Sequence, residues 1–184
     1  MSADALRSAS GAIKRLLTGR IPNANVFVGA LDDEDARQAD LVLFLYRLGV
    51  DADLRNVGHD LPPNDLTAPS TPTEGALPLQ LHFLLTAGNR NTGSELEALG
   101  KLGLAIQTLN DTPVLTGASL GPDPVRITFD PVSSEELSRI WSLFPTANFR
   151  TSVSYLVSPV WVDPAEERPL APPVVHERYH ARSV

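Results

Sequence analysis

Residues 41–46 read Leu-Val-Leu-Phe-Leu-Tyr. Leu41, Leu43 and Leu45 alternate with Val42, Phe44 and Tyr46, so both faces of a strand over residues 40–50 begin apolar. A strand of that kind is a central strand covered on both sides, whereas a one-faced strand alternates with polar residues. It turns polar only at its end, at Arg47 and Asp51. The chain therefore needs a sheet with packed layers against it, and the rest of the pattern supplies them.

The stripe Leu6, Ala9, Ile13, Leu16 and Leu17 predicts a helix over about 3–18, stopped by Gly19 and Pro22. A short strand follows at 25–29, then an acidic turn, Asp32-Asp-Glu-Asp35. Residues 55–76 hold four prolines and read as a long irregular segment, an interaction loop or a mobile arm. A strand at 77–86 places Leu77, Leu79, Leu81, Phe83 and Leu85 on one face. Ser94 caps a helix over about 94–109, with Leu96, Leu99, Gly103, Ile106 and Leu109 as its inner stripe. A strand at 125–129 is expected to bury Val125, Ile127 and Phe129. Ser133 and Glu136 form a capping box opening a helix that buries Leu137, Ile140, Trp141 and Phe144. A last strand over 150–162 sets Val153, Tyr155, Val157 and Trp161 against Ser152, Ser154 and Ser158. The order predicts an α+β fold, a small mixed or antiparallel sheet flanked by helices. Residues 1–163 form the domain. Residues 164–184 form a tail with four prolines and no periodicity, expected to be extended or disordered by itself.

Composition removes several function classes. The 184 residues include no cysteine, which excludes disulfides and thiolate metal sites and suits a reducing compartment. No run approaches the ~20 apolar residues that span a bilayer, and residues 2–18 are too amphipathic for a signal peptide. The net charge is −7. It is uneven: residues 1–30 carry four basic and one acidic group, residues 31–65 three basic and nine acidic. Such a chain is a poor ligand for a phosphate backbone, so nucleic acid is not an expected partner, nor is a membrane.

No motif names a chemistry. His59-Asp60 invites a general-base reading but has no nucleophile turn such as G-x-S-x-G near it. His82, in the strand at 77–86, reads as a structural histidine. His176 and His180 share a helix spacing, in a tail whose prolines oppose a helix, and the four histidines do not make a zinc set. The acidic cluster at 32–35 lacks the calcium-loop pattern. Gly88-Asn-Arg-Asn-Thr-Gly93 lacks the G-K-[ST] of a phosphate loop and reads as a strand-to-helix turn. No catalytic residue, cofactor or metal follows. Trp141 reads as core, and Trp161, at a strand end beside the tail, as an interface aromatic.

Several segments taken in order are informative together: Leu54-Arg-Asn56, Leu79-Gln-Leu-His-Phe-Leu-Leu85, Leu109-Asn-Asp-Thr-Pro-Val-Leu115, Glu136 through Trp141, and Arg150-Thr-Ser-Val-Ser-Tyr155. This series resembles the N-terminal domain of the cap, or tube-terminator, proteins of phage-tail-like contractile injection systems. The resemblance implies a fold akin to phage tail terminators. It implies a non-enzymatic, structural role: a homohexameric ring at the distal end of the particle that plugs the inner tube, ends its growth and holds the last sheath ring. Partners are then the inner tube protein, the sheath protein and further copies of the chain. The protein would be cytoplasmic at assembly and a component of the particle thereafter. Relatives with a large C-terminal domain would have it reduced here to 164–184. Interface residues expected on this basis are Leu54, Arg55, Asn56, Arg150, Ser152, Ser154, Val160, Trp161 and Val162. Sheath docking is expected by strand addition along 150–162 or 77–86, which proline at Val160 and Val162 would block. The alternatives are an adaptor that recruits cargo, and a small-ligand or hydrolytic module built on His59, Asp60 and His82.

Overall fold

A computed structural model describes residues 4–56, 59–61, 71–88, 94–117, 120–165 and 168–169. Helix α1 (Ala5–Arg20) leads into strand β1 (Val26–Val28), α2 (Glu34–Arg37) and β2 (Leu41–Val50). Then come β3 (His59–Leu61), β4 (Thr71–Glu74), β5 (Leu77–Ala87) and α3 (Glu95–Asp111). The chain continues through β6 (Val114–Gly117), β7 (Gly121–Phe129), α4 (Ser134–Ser142), β8 (Ser152–Val162) and β9 (Arg168–Pro169). Six strands form one sheet in the order β1-β2-β5-β8-β7-β6. Only β1 and β2 run parallel, so that sheet is mixed. A small antiparallel sheet, β3-β4-β9, stands apart.

The two-faced apolar pattern of β2 does what it predicts. Leu41 and Leu43 face the larger core with Leu81, Phe83, Leu85, Tyr155 and Val157, under α1 and α3. Val42 faces the other way, with Leu84, Ala36, Ile140 and Trp141, under α2 and α4. The result is three layers, helices on both faces of an α+β sheet. Helix α1 buries Ala5, Ala9, Ile13 and Leu17. It runs to Arg20, two residues further than expected at its C-terminus, with Gly19 still helical and Ile21 as the cap.

Several expectations are corrected. The acidic segment is more than a turn: the Asp33 carboxylate accepts from the Asp35 amide at 2.9 Å and opens α2, with Glu34 and Asp35 favouring the helix dipole. The irregular segment 55–76 carries β3 and β4, while residues 57–58 and 62–70 lie outside the described residues. Gly75, at φ +89°, makes the turn from the small sheet into β5, a conformation that disfavours any other residue. Strand β6 extends the sheet directly after α3, where no strand was expected. Phe129 is not core: it is 56% exposed and meets Tyr155 edge-on.

Two corrections bear on function. Helix α3 buries Ala98, Leu102, Ala105 and Leu109, so Leu96 and Leu99 point outward instead of inward. The helix is turned because Lys101 reaches in to the buried Asp40, Nζ to Oδ1 at 2.6 Å. Strands β5 and β8 are the two innermost strands, each paired on both sides. Neither is an edge to which a partner adds a strand. The open edges of the large sheet are β1 and β6. Proline at Val160 and Val162 would act on the sheet itself.

Candidate protein interface

The expected interface residues fall at the two ends of β8. At its C-terminal end Val160 and Trp161 are buried and Val162 is half-buried, paired with Leu77. The turn holding Leu54, Arg55 and Asn56 lies at the same end. It follows Asp51, whose amide donates to the Pro78 carbonyl at 2.8 Å and whose carboxylate accepts from Ser158 Oγ at 3.2 Å. Arg55 and Asn56 are exposed there. Around them Leu48, Val50 and Leu77 each stay nearly half exposed, continuing the core side of the sheet past the helices that cover it.

His59 ties this end to the small sheet. Its ring stacks on Trp161, centroids 4.4 Å apart and planes within 12°. Its Nδ1 lies 2.8 Å from Asp163 Oδ1 and its Nε2 lies 2.6 Å from Asp123 Oδ2. Ionised carboxylates only accept, so the pair of contacts is complete when both ring nitrogens donate. With both ring nitrogens engaged by carboxylates of the fold, this geometry leaves no free nitrogen facing a nucleophile, which weakens the general-base reading. Only the backbone of Asp60 is described.

The N-terminal end of β8 is closed by polar contacts. Arg150 donates to the Gly88 carbonyl at 2.7 Å. Ser152 accepts from the Trp141 indole at 3.3 Å and donates to the Arg150 carbonyl at 2.8 Å. Buried Ser154 meets the Tyr46 hydroxyl at 3.0 Å, and that hydroxyl donates to Asp130 at 3.4 Å. His82 Nδ1 lies 2.7 Å from the same Asp130 carboxylate. Burial holds the Tyr46 phenol above its ordinary range, with the Ser154 hydrogen bond pulling the other way. Burial alone does the same to Tyr155. A Cβ on Gly88 would sit 2.2 Å from the Ala39 carbonyl oxygen, so the backbone at this end admits nothing larger. These side chains join β2, β5, β8 and the approach to α4. Ser152, Ser154 and Arg150 thus hold the fold at one end, while Leu54–Asn56 and Val162 border open surface at the other.

The carboxylate partners of His59 and His82, and the Asp40 partner of Lys101, were not foreseeable from neighbouring residues. They lie between 48 and 104 positions away in the chain. A cavity beside Trp141 and Arg150 measures about 20 Å³, the room of a single water. A groove of about 380 Å³ runs between α1 and β1. Among the described residues no cluster of three or more His, Asp or Glu could hold a metal, and no helix is long and apolar enough to cross a membrane. His176 and His180 lie outside the described residues, as do residues 89–93.

Residues 9–176 match the family described as Pvc16 N-terminal domain. Among solved structures, the fold matches the sheath/tube terminator of PVC, an extracellular contractile injection system, in its extended state. Identity is 18%, the TM-score is 0.60, and the match covers 100% of this chain and 64% of that one. It also matches the tube-terminating cap of the anti-feeding prophage, at 18% identity and a TM-score of 0.62, over 93% of this chain and 59% of that one. The chain thus spans about three-fifths of the length of these two proteins. No curated protein matches it by sequence.

Proposed function

This chain belongs to the Pvc16 N-terminal domain family, and on that premise we propose that it terminates the tube of a contractile injection particle. The observation that carries the reading is the fold match, along essentially the whole chain, to two proteins that are themselves terminators or caps. The proposed form is a ring of six copies at the distal end, closing the inner tube and anchoring the last sheath ring. The role is structural and without catalysis.

Physical reasoning supports it. Stacked rings present unlike faces and grow without limit unless one component matches a face and offers no copy of it. A terminator is such a component, and it needs surfaces more than pockets. The chain supplies surfaces: the apolar end formed by Leu48, Val50 and Leu77, and the open edges β1 and β6. Strand addition by a sheath segment, if the particle uses it, belongs at one of those edges. Leu54, Arg55, Asn56 and Val162 border the apolar end and are proposed contacts there. Val160 and Trp161 support that surface from beneath. The inner tube and sheath proteins are the proposed partners, and a net charge of −7 disfavours nucleic acid.

The test is to locate an epitope-tagged copy on purified particles by electron microscopy. Label confined to the distal end is the expected result. Label along the whole tube, or none on particles that are otherwise complete, would contradict the proposal.

A further inference from the structure

We propose that neighbouring copies in the ring meet through two unlike surfaces: the outer face of α3 on one copy seats in the α1–β1 groove of the next. The inference rests on the ring reading above and adds where its seam lies.

The first surface is a helix face with no partner among the described residues. Leu96 is 82% exposed, Leu99 39% and Leu104 46%, although leucine is among the residues most often buried. Gly100 and Gly103 lie among them, three and four positions apart on the same side of the helix. A Cβ built on either glycine meets nothing within 4 Å. Glycine inside a helix is less favourable than alanine. Nothing within the described chain requires bare backbone at these two positions. Bare helical backbone framed by leucines is a surface that another element can approach closely.

The second surface is the groove of about 380 Å³ beside the open edge of β1. Leu6 and Val28 give it an apolar lining, with Ser10 and Gly11 between them, and the exposed Arg7 and Lys14 form its rim. Their aliphatic stems extend the apolar wall and their charges stay at the lip.

Charge selects the occupant. Helix α1 carries four basic and no acidic residues. Helix α3 carries Glu95, Glu97 and Asp111 against one lysine, and that Lys101 is turned toward Asp40 and Glu97 of its own chain. An acidic leucine ridge and a basic apolar groove are complementary in sign. Two ridges face to face would oppose Glu95 and Glu97 with their own copies, and two grooves would oppose Arg7 and Lys14. The fitting partner is therefore a second copy of this chain, joined by unlike faces. Each added copy leaves one ridge and one groove unfilled, so the series ends only on closing into a ring.

The absence of cysteine makes the seam testable without background. Two exposed single substitutions, Leu96→Cys and Lys14→Cys, are carried on copies with tags of different mass. Both are co-expressed in particle-producing cells, and the purified particles are oxidised. The expected result is a disulfide-linked heterodimer that exceeds either homodimer on a non-reducing gel. Particles that contain both copies yet give only Leu96→Cys homodimers, or no cross-link, overturn this seam and leave the terminator reading standing. Complete particles that contain neither copy overturn both.

Discussion

The two ends of β8 are held by different means. At the N-terminal end, Arg150, Ser152 and Ser154 join Gly88, Trp141, Tyr46, His82 and Asp130 in contacts that cross four elements. At the C-terminal end one histidine, stacked on Trp161 and placed between two aspartates, links the small sheet to the large one. Beside it Leu48, Val50 and Leu77, on the apolar side of the sheet, stay nearly half exposed. The difference teaches where each end gets its stability. The first is held by a network of side-chain hydrogen bonds inside the chain. The second combines one concentrated attachment with uncovered apolar area, which suits a surface that meets another protein.

Substitutions can break this contrast. The largest effect is expected near the closed end. Asp40→Ala leaves Lys101 without its main partner, and should cost about 3 kcal/mol in urea unfolding, the low end for breaking a buried pair. The low end applies because the Lys101 side chain keeps 20% exposure. Loss of well under half that would mean Asp40 does not set the rotation of α3.

Next is the clamp. His59→Gln can keep one of two charge-assisted contacts and should cost about 2 kcal/mol. The expected signature is local: faster amide exchange in β3 and β4 while β5 and β8 stay protected. Uniform acceleration across both sheets would show that the two ends do not differ as argued.

A smaller effect concerns pH. Tyr46 and Tyr155 have folded pKa values raised above their ordinary 10.0 by burial. Above pH 10 the unfolded chain releases these protons first, so their contribution is present below pH 10 and is lost as pH rises beyond it. Unfolding free energy should fall above that point, and the double substitution Tyr46→Phe/Tyr155→Phe should flatten the fall. An unchanged slope would count against burial as the cause.

The smallest effect on stability is expected at the open surface. Leu77→Ala should cost less than about 1 kcal/mol because that side chain is already half in water. Leu85→Ala, fully buried, should cost about 2–5 kcal/mol. A Leu77→Ala protein that folds normally but fails to join particles would sharpen the assignment of this end to a partner. Normal incorporation would remove Leu77 from it.

What could be read from the sequence follows from the range of the interactions. The inner strands β2 and β5 and the helices α1 and α4 announce themselves through local periodicity, which needs no knowledge of partners. The three-layer α+β arrangement follows from β2 alone. Helix α2 is four residues long, too short to show a period. Strand β4 contains Pro72, opposite Asp60 in the small sheet, and proline is a mark against a strand. The face of α3 could not be read because a charge 61 positions away decides it, and a leucine stripe competes with the buried one. The clamp was out of reach for the same reason: Asp123 and Asp163 are ordinary acidic residues until the fold brings them to His59. Strands β5 and β8 looked available as docking edges because periodicity shows which side of a strand is apolar but not which strands flank it.

The central claim is that this chain ends a tube. The most direct measurement is electron microscopy of particles from cells lacking the gene. The account predicts tubes that are missing, overlong or stripped of sheath, restored by supplying the gene in trans. Capped particles of normal length and full sheath from those cells would contradict it.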